Sequence, residues 1–258
     1  MKSKFFYLLV ANNIMTSFQE NESPALNTDP FIVDWKIVRE ERQRLNNSKV
    51  AELITENNIS ELLKTVNTKE LDRVLKEVKL TSNELFSQCR NNEVLKTVLS
   101  GRISKNATRQ GTKDEDLQIS TCNHTSEKRG ILVENLSATA YRPTKSGSIL
   151  TAKELKEQNI SKDECLKSFD GKISGKINGW IFAKVVYGSG GHQDNVFEEA
   201  DTICEWIVKY RDMTEFFVIL IDTDLQSKFD TIKNKYESAK NIIVVNHIDF
   251  QKYIIQNF

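Results

Sequence analysis

The chain has 258 residues, 39% of them hydrophobic and 28% charged, which is enough apolar material for a core and argues against a disordered polymer. Its 36 basic and 36 acidic residues cancel, so a nucleic-acid-binding face has to come from uneven placement of charge, not from an excess. Three prolines and ten glycines exclude a collagen-like chain, and four scattered cysteines without paired spacing indicate neither a disulfide framework nor a zinc site.

Residues 1–29 read as a flexible N-terminus. The run from Lys2 to Ala11 faintly resembles a signal peptide, but its apolar stretch is short and Asn12 and Asn13 follow without a cleavage pattern. A true start at Met15 reads at least as well. Free thiols fit a cytoplasmic location, and no run approaches the length of a membrane span.

Residues 30–100 form a helical N-terminal subdomain by pattern. Helices are expected over 31–45, 48–56, 59–66, 68–78 and 81–89. Ser60 and Thr68, each followed closely by a glutamate, read as capping hydroxyls. Leu71, Val74, Leu75 and Val78 recur at helical spacing and define one apolar face. From 101 to 147 the composition turns basic and polar, and irregular structure with little core of its own is expected.

Beyond residue 150 the elements are sharper. A helix is expected over 151–158, a strand over 165–173, a turn near Ser174 and a densely apolar strand over 179–187. Gly188-Ser-Gly-Gly is a breaker loop. An amphipathic helix follows over 195–210, with a continuously apolar, buried strand at 216–221. A helix over 225–239, a strand over 241–245 and a short terminal helix complete the chain. This order predicts an α/β fold, a mixed central sheet with flanking helices, and the domain is assigned to 101–258.

Two residues interrupt this apolar hairpin with charge. Asp170 lies on its first strand and Lys184 on its second, inside Trp180-Ile-Phe-Ala-Lys184-Val-Val-Tyr. A lysine in such a strand must reach solvent, a carboxylate or a cleft. A carboxylate that holds a metal and a nearby positive charge are what hydrolysis of a phosphodiester by water requires.

Asp170 followed by Phe182-Ala-Lys184 resembles the PD-(D/E)XK nuclease signature, and the downstream order of hairpin, helix and strand resembles that fold over about 163–258. The segment from Gly188 to Glu199 is similar to the stretch leading into the next helix of type II restriction endonucleases. The resemblance implies sequence-specific, magnesium-dependent cleavage of double-stranded DNA. The signature places an acid two residues before the lysine, where this chain has Phe182. Some members carry that acid on the following helix, with thirteen residues between it and the lysine. Glu198 has this separation from Lys184; Glu199 lies nearer the edge of the helix's apolar face. The two differ by about 100° around a helix, so only one can face the hairpin. The resemblance also assigns a main-chain carbonyl, that of Ala183, to the metal. Hard oxygen ligands imply Mg2+ rather than zinc.

Recognition of DNA is expected from Arg109, Gln110 and Lys113, side chains suited to base edges. Arg142 and Lys145 suit phosphate contacts, and His192 can touch phosphate or position water. Palindromic targets favour a homodimer, and the resemblance implies a companion DNA methyltransferase. Two alternatives stay open on the same nuclease fold: a repair or transposition enzyme, and a non-catalytic DNA-binding protein, which Phe182 makes a live reading. Gly171-Lys-Ile-Ser-Gly-Lys-Ile has the wrong spacing for a phosphate loop and ends on isoleucine.

Overall fold

The computed structural model describes residues 29–136, 141–187 and 192–258. Apart from Asp29, the N-terminus expected to be flexible lies outside the described residues, as does the 188–191 breaker loop. The backbone separates into two compact units: Val33–Gly111, and Thr112–Phe258 together with the described residues up to Ile32.

The first unit is helical: α1 (Trp35–Thr55), α2 (Ile59–Thr65), α3 (Thr68–Val78), α4 (Ser82–Arg90) and α5 (Glu93–Ile103), then a 3-10 turn at Ala107–Arg109. The segments expected at 31–45 and 48–56 are one continuous helix. Ser48 carries no break because Val50, Leu53 and Ile54 beyond it all enter the core. Helix starts are held by side-chain oxygens that accept from main-chain N–H groups. Asn58 and Asn67 cap α2 and α3, just ahead of the hydroxyls expected in that role. Thr81 and Glu84 cap α4 reciprocally. Leu62, Leu71, Phe86 and Ile103 belong to a core internal to this unit.

The second unit is α/β. It contains α6 (Gly111–Glu127), β1 (Ile131–Asn135), β2 (Tyr141–Pro143), β3 (Ile149–Thr151), α7 (Ala152–Glu157), β4 (Gly171–Gly175), β5 (Gly179–Val186), α8 (His192–Tyr210), β6 (Phe216–Thr223), α9 (Gln226–Lys235), β7 (Ile242–Val245) and α10 (His247–Asn257). Five strands form a sheet in the order β1-β4-β5-β6-β7. The β1/β4 and β4/β5 pairs are antiparallel; β5/β6 and β6/β7 are parallel. This is the mixed sheet with flanking helices that the element order predicts. Strand alternation divides the core. Phe182, Phe217 and Ile219 face α8 and α9 on one side, while Ile181, Ala183, Val218 and Leu220 face α6 and α10 on the other.

Two sequence expectations are corrected here. The 101–147 region is not irregular: it holds the end of α5, all of α6, β1 and β2. Helix α6 escaped a periodicity reading because its buried face is largely polar, with Asp114, Gln118, Thr121, Thr125 and Ser126 beside Ile119 and Cys122. The strand expected over 165–173 begins only at Gly171. Residues before it make an isolated antiparallel bridge, Thr144 to Cys165, and Leu166 N and Phe169 N donate to the carbonyls of Pro143 and Tyr141 in β2.

Candidate active site

Asp170 lies one residue ahead of β4, and its backbone is gripped from both sides. Its N–H donates to Ile181 O at 2.9 Å, and its carbonyl accepts from Leu136 N at 2.8 Å. Gly171 lets the helix above come close. A Cβ there would stand 3.2 Å from Ile119 Cδ1, 3.2 Å from Glu134 O and 3.3 Å from Ile181 Cβ, tighter than a side chain ordinarily accepts. Helix α6 therefore packs directly over the turn that carries Asp170.

Lys184 stands near the end of β5, where the strand leaves the core. Its ammonium donates to Asp170 Oδ2 at 3.1 Å, to Glu115 Oε1 at 2.9 Å and to the Ala183 carbonyl at 2.7 Å. The Ala183 N–H in turn donates to Asp170 Oδ2 at 2.9 Å. The side chains of Lys184, Glu115 and Asp170 are 17%, 18% and 16% exposed, so the cluster is sheltered but not sealed. Phe182, on the same strand face, puts its ring 4.8 Å from the ammonium and is fully buried.

The electrostatics follow from burial and crowding. Burial pushes the Asp170 carboxyl above the ordinary carboxylate range, against the pull of Lys184, and the charge of Glu199 pushes the same way. Burial also raises Glu115, with Asp170 and Asp116 adding to the rise and Lys184 opposing it. Asp116 is raised by burial and by Asp170. For Lys184, burial alone would lower the pKa; the charges of Asp170 and Glu115 outweigh it and raise it. The ammonium therefore persists through neutral pH.

Glu199 is the α8 acid that looks toward the hairpin. It pairs with Lys167 at 3.1 Å and is near enough for its charge to act on Asp170. Glu198 is exposed. Both line an open cleft of about 470 Å³ with Lys167, Asn195 and Thr202. The packing of α8 thus favours Glu199, which the apolar pattern preferred, over Glu198, which the spacing preferred. Among the described residues no three His, Cys, Asp or Glu side chains converge as a ready metal-ligating group. The donor chemistry nevertheless suits a hard cation. Asp170 and Glu115 flank Lys184, with Asp116 beside Glu115 in the chain and Glu199 close enough to act on Asp170, so hard carboxylate oxygens outnumber the one ammonium.

Glu115 was missed at the sequence level. Asp114-Glu115-Asp116 at the head of α6 is the acid-rich first turn that marks a helix start, and it lay inside a segment read as irregular. The expected DNA contacts are dispersed. Lys113, on the first turn of α6, is exposed, as is Lys145, whereas Arg142 is half-buried and donates to the Leu166 carbonyl at 3.2 Å. Gln110 follows the 3-10 turn and is half-buried. The side chains of Arg109 and His192 lie outside the described residues. Comparison with protein families, curated proteins and solved structures finds no match to this chain.

Proposed function

We propose that this chain is a type II restriction endonuclease that hydrolyses double-stranded DNA at a specific sequence with Mg2+. The observation that carries the reading is Lys184 lodged between Asp170 and Glu115, beside the Ala183 carbonyl, at the open end of a β-hairpin. The order helix, three antiparallel strands, helix and parallel strand agrees with the PD-(D/E)XK resemblance in the hairpin sequence.

Asp170, the Ala183 carbonyl and Glu199, with Glu115 opposite, would hold the ion. A magnesium ion, when bound, withdraws charge from a phosphate and acidifies water. Lys184, kept protonated by its two carboxylates, acts at Nζ as a hydrogen-bond donor to a phosphate oxygen or to the attacking water. It does not serve as a general base in that state. Glu115, with a raised pKa, is the better-placed group to take a proton from water. Phe182 occupies the position where the signature carries an acid. An acid there would be buried without water, so the second carboxylate comes from α8 on the same sheet face.

Recognition of a palindrome by a homodimer and protection of the host by a companion DNA methyltransferase belong to the same proposal. Digestion of a mapped plasmid with Mg2+, followed by sequencing of the ends, tests it. Cutting at one fixed sequence is the expected result. Specific binding with no cutting under any divalent metal would replace it with the non-catalytic reading that Phe182 leaves open.

A further inference from the structure

Behind the lysine lies a buried polar network that the proposed chemistry does not itself use. Asp222, at the end of β6, is 2% exposed, His247 at the head of α10 is 3% exposed and Gln118 on α6 is fully buried. Asp222 Oδ1 accepts from the His247 main-chain N–H at 3.1 Å and lies 2.8 Å from His247 Nδ1. A carboxylate only accepts, so Nδ1 carries the proton in that contact. Asp222 Oδ2 accepts from Gln118 Nε2 at 2.9 Å. The same amide nitrogen reaches the Lys184 carbonyl at 3.4 Å and the Leu220 carbonyl at 3.5 Å. Gln118 follows Glu115 by one helical turn, so both lie on one face of α6.

The network has a cost that stability alone does not explain. With its nitrogen turned to Asp222, the Gln118 amide leaves its Oε1 buried and without a hydrogen-bond partner. An apolar residue of similar size would avoid that desolvated acceptor but take a donor from the buried Asp222 Oδ2. What the amide provides in exchange is a fixed point, since it ties α6 to the carbonyl of the residue whose ammonium Glu115 must meet.

We propose that Gln118, oriented by the Asp222–His247 pair, is a positioning residue that sets the rotation of α6 so that Glu115 reaches Lys184 Nζ. The role rests on the nuclease reading for its purpose but not for its geometry.

The test uses the full-length protein and an amine-reactive label, with Lys184 modification followed by mass spectrometry at fixed pH. An ammonium held by two carboxylates reacts slowly. Glu115→Gln should accelerate labelling several-fold, and Gln118→Leu should do so to a similar degree, with a lowered melting temperature because the buried Asp222 Oδ2 loses this donor. In the Glu115→Gln background, Gln118→Leu should add nothing. Asp222→Asn should repeat the Gln118→Leu labelling result, because an asparagine that keeps its oxygen on His247 aims its NH2 at Gln118, whose amide then reverses to accept it and turns Nε2 away from the Lys184 carbonyl. In cleavage assays Gln118→Leu should lower kcat at least tenfold with DNA binding kept. Labelling of Lys184 unchanged by Gln118→Leu, or accelerated equally with and without Glu115, overturns the proposal. If the parent protein cuts no DNA, the nuclease reading falls, while the labelling cycle still decides the positioning claim.

Discussion

Lys184 is an apolar-strand residue whose charge is satisfied from two other elements, Asp170 ahead of β4 and Glu115 on α6. Breaking a buried pair of this kind costs about 3–5 kcal/mol, against about 0–1 kcal/mol for an exposed one. Lys184→Ala leaves two sheltered carboxylates facing each other. Loss of cleavage, with specific DNA binding largely kept, is expected in paired cleavage and gel-shift assays. A melting temperature lowered most at neutral pH should accompany it, because acid protonates the abandoned carboxylates. The two α8 acids give a sharper contrast. Glu199 is paired with Lys167 and its charge acts on Asp170, whereas Glu198 is exposed. Glu199→Gln should reduce the cleavage rate by at least a hundredfold and Glu198→Gln by less than threefold, measured at saturating Mg2+. The reverse order would assign the second acid by spacing instead of packing.

At the level of elements, α6 decides whether a site exists at all. It was hidden from a periodicity reading because its inward face is built from Asp114, Gln118, Thr121, Thr125 and Ser126 as much as from Ile119 and Cys122. Burial made that face, not hydrophobicity, and amphipathic pattern reports only the latter. The hairpin, by contrast, was legible: the dense apolar run of β5 and its interruption by Lys184 are visible in the residues themselves. Gly171 is where the two elements meet. Gly171→Ala would press a methyl against Ile119, Glu134 and Ile181. It is expected to destabilise by about 1–3 kcal/mol in urea melts and to slow cleavage by displacing α6 from Asp170. Phe182 shows the opposite face of the same strand logic. Phe182→Glu restores the acid of the signature but buries a charge in place of a packed ring. The expected result is a loss of about 3 kcal/mol or more, not a gain in activity.

At the scale of the molecule, burial of these carboxylates should make stability and the proposed cleavage run in opposite directions with pH. Asp170 and Glu115 both titrate above the ordinary carboxylate range, so the folded state holds their protons more tightly than the unfolded chain does. Their contribution to stability therefore falls as pH rises from the unfolded carboxylate range through the raised values. Asp170→Asn should gain melting temperature relative to the parent as pH increases from about 4, the ordinary carboxylate value, toward neutrality. A difference that shrinks over that range would contradict the raised pKa. Cleavage should show the mirror image. Its acid limb lies above the ordinary carboxylate range, because the acids must be ionised to bind the ion. Added Mg2+ should raise the melting temperature of the parent and not of Asp170→Asn. The unit Val33–Gly111 has its own core and its own caps. Expressed alone, it should melt cooperatively by circular dichroism.

The residues of this chain by themselves determined the α/β class, the order of elements beyond 150 and the identity of Asp170 and Lys184 as charges in an apolar hairpin. Those features are local: alternation, apolar runs and breakers act through near neighbours in the chain. What only the tertiary structure decided is that Glu115 joins Asp170 on the lysine, and that Glu199 is the α8 acid whose charge acts on Asp170. Glu115 lies 69 residues before the lysine, and the choice of Glu199 over Glu198 depends on how α8 is rotated against the sheet. Both are set by packing between elements distant in sequence. A charge pattern read along one dimension carries no measure of that distance.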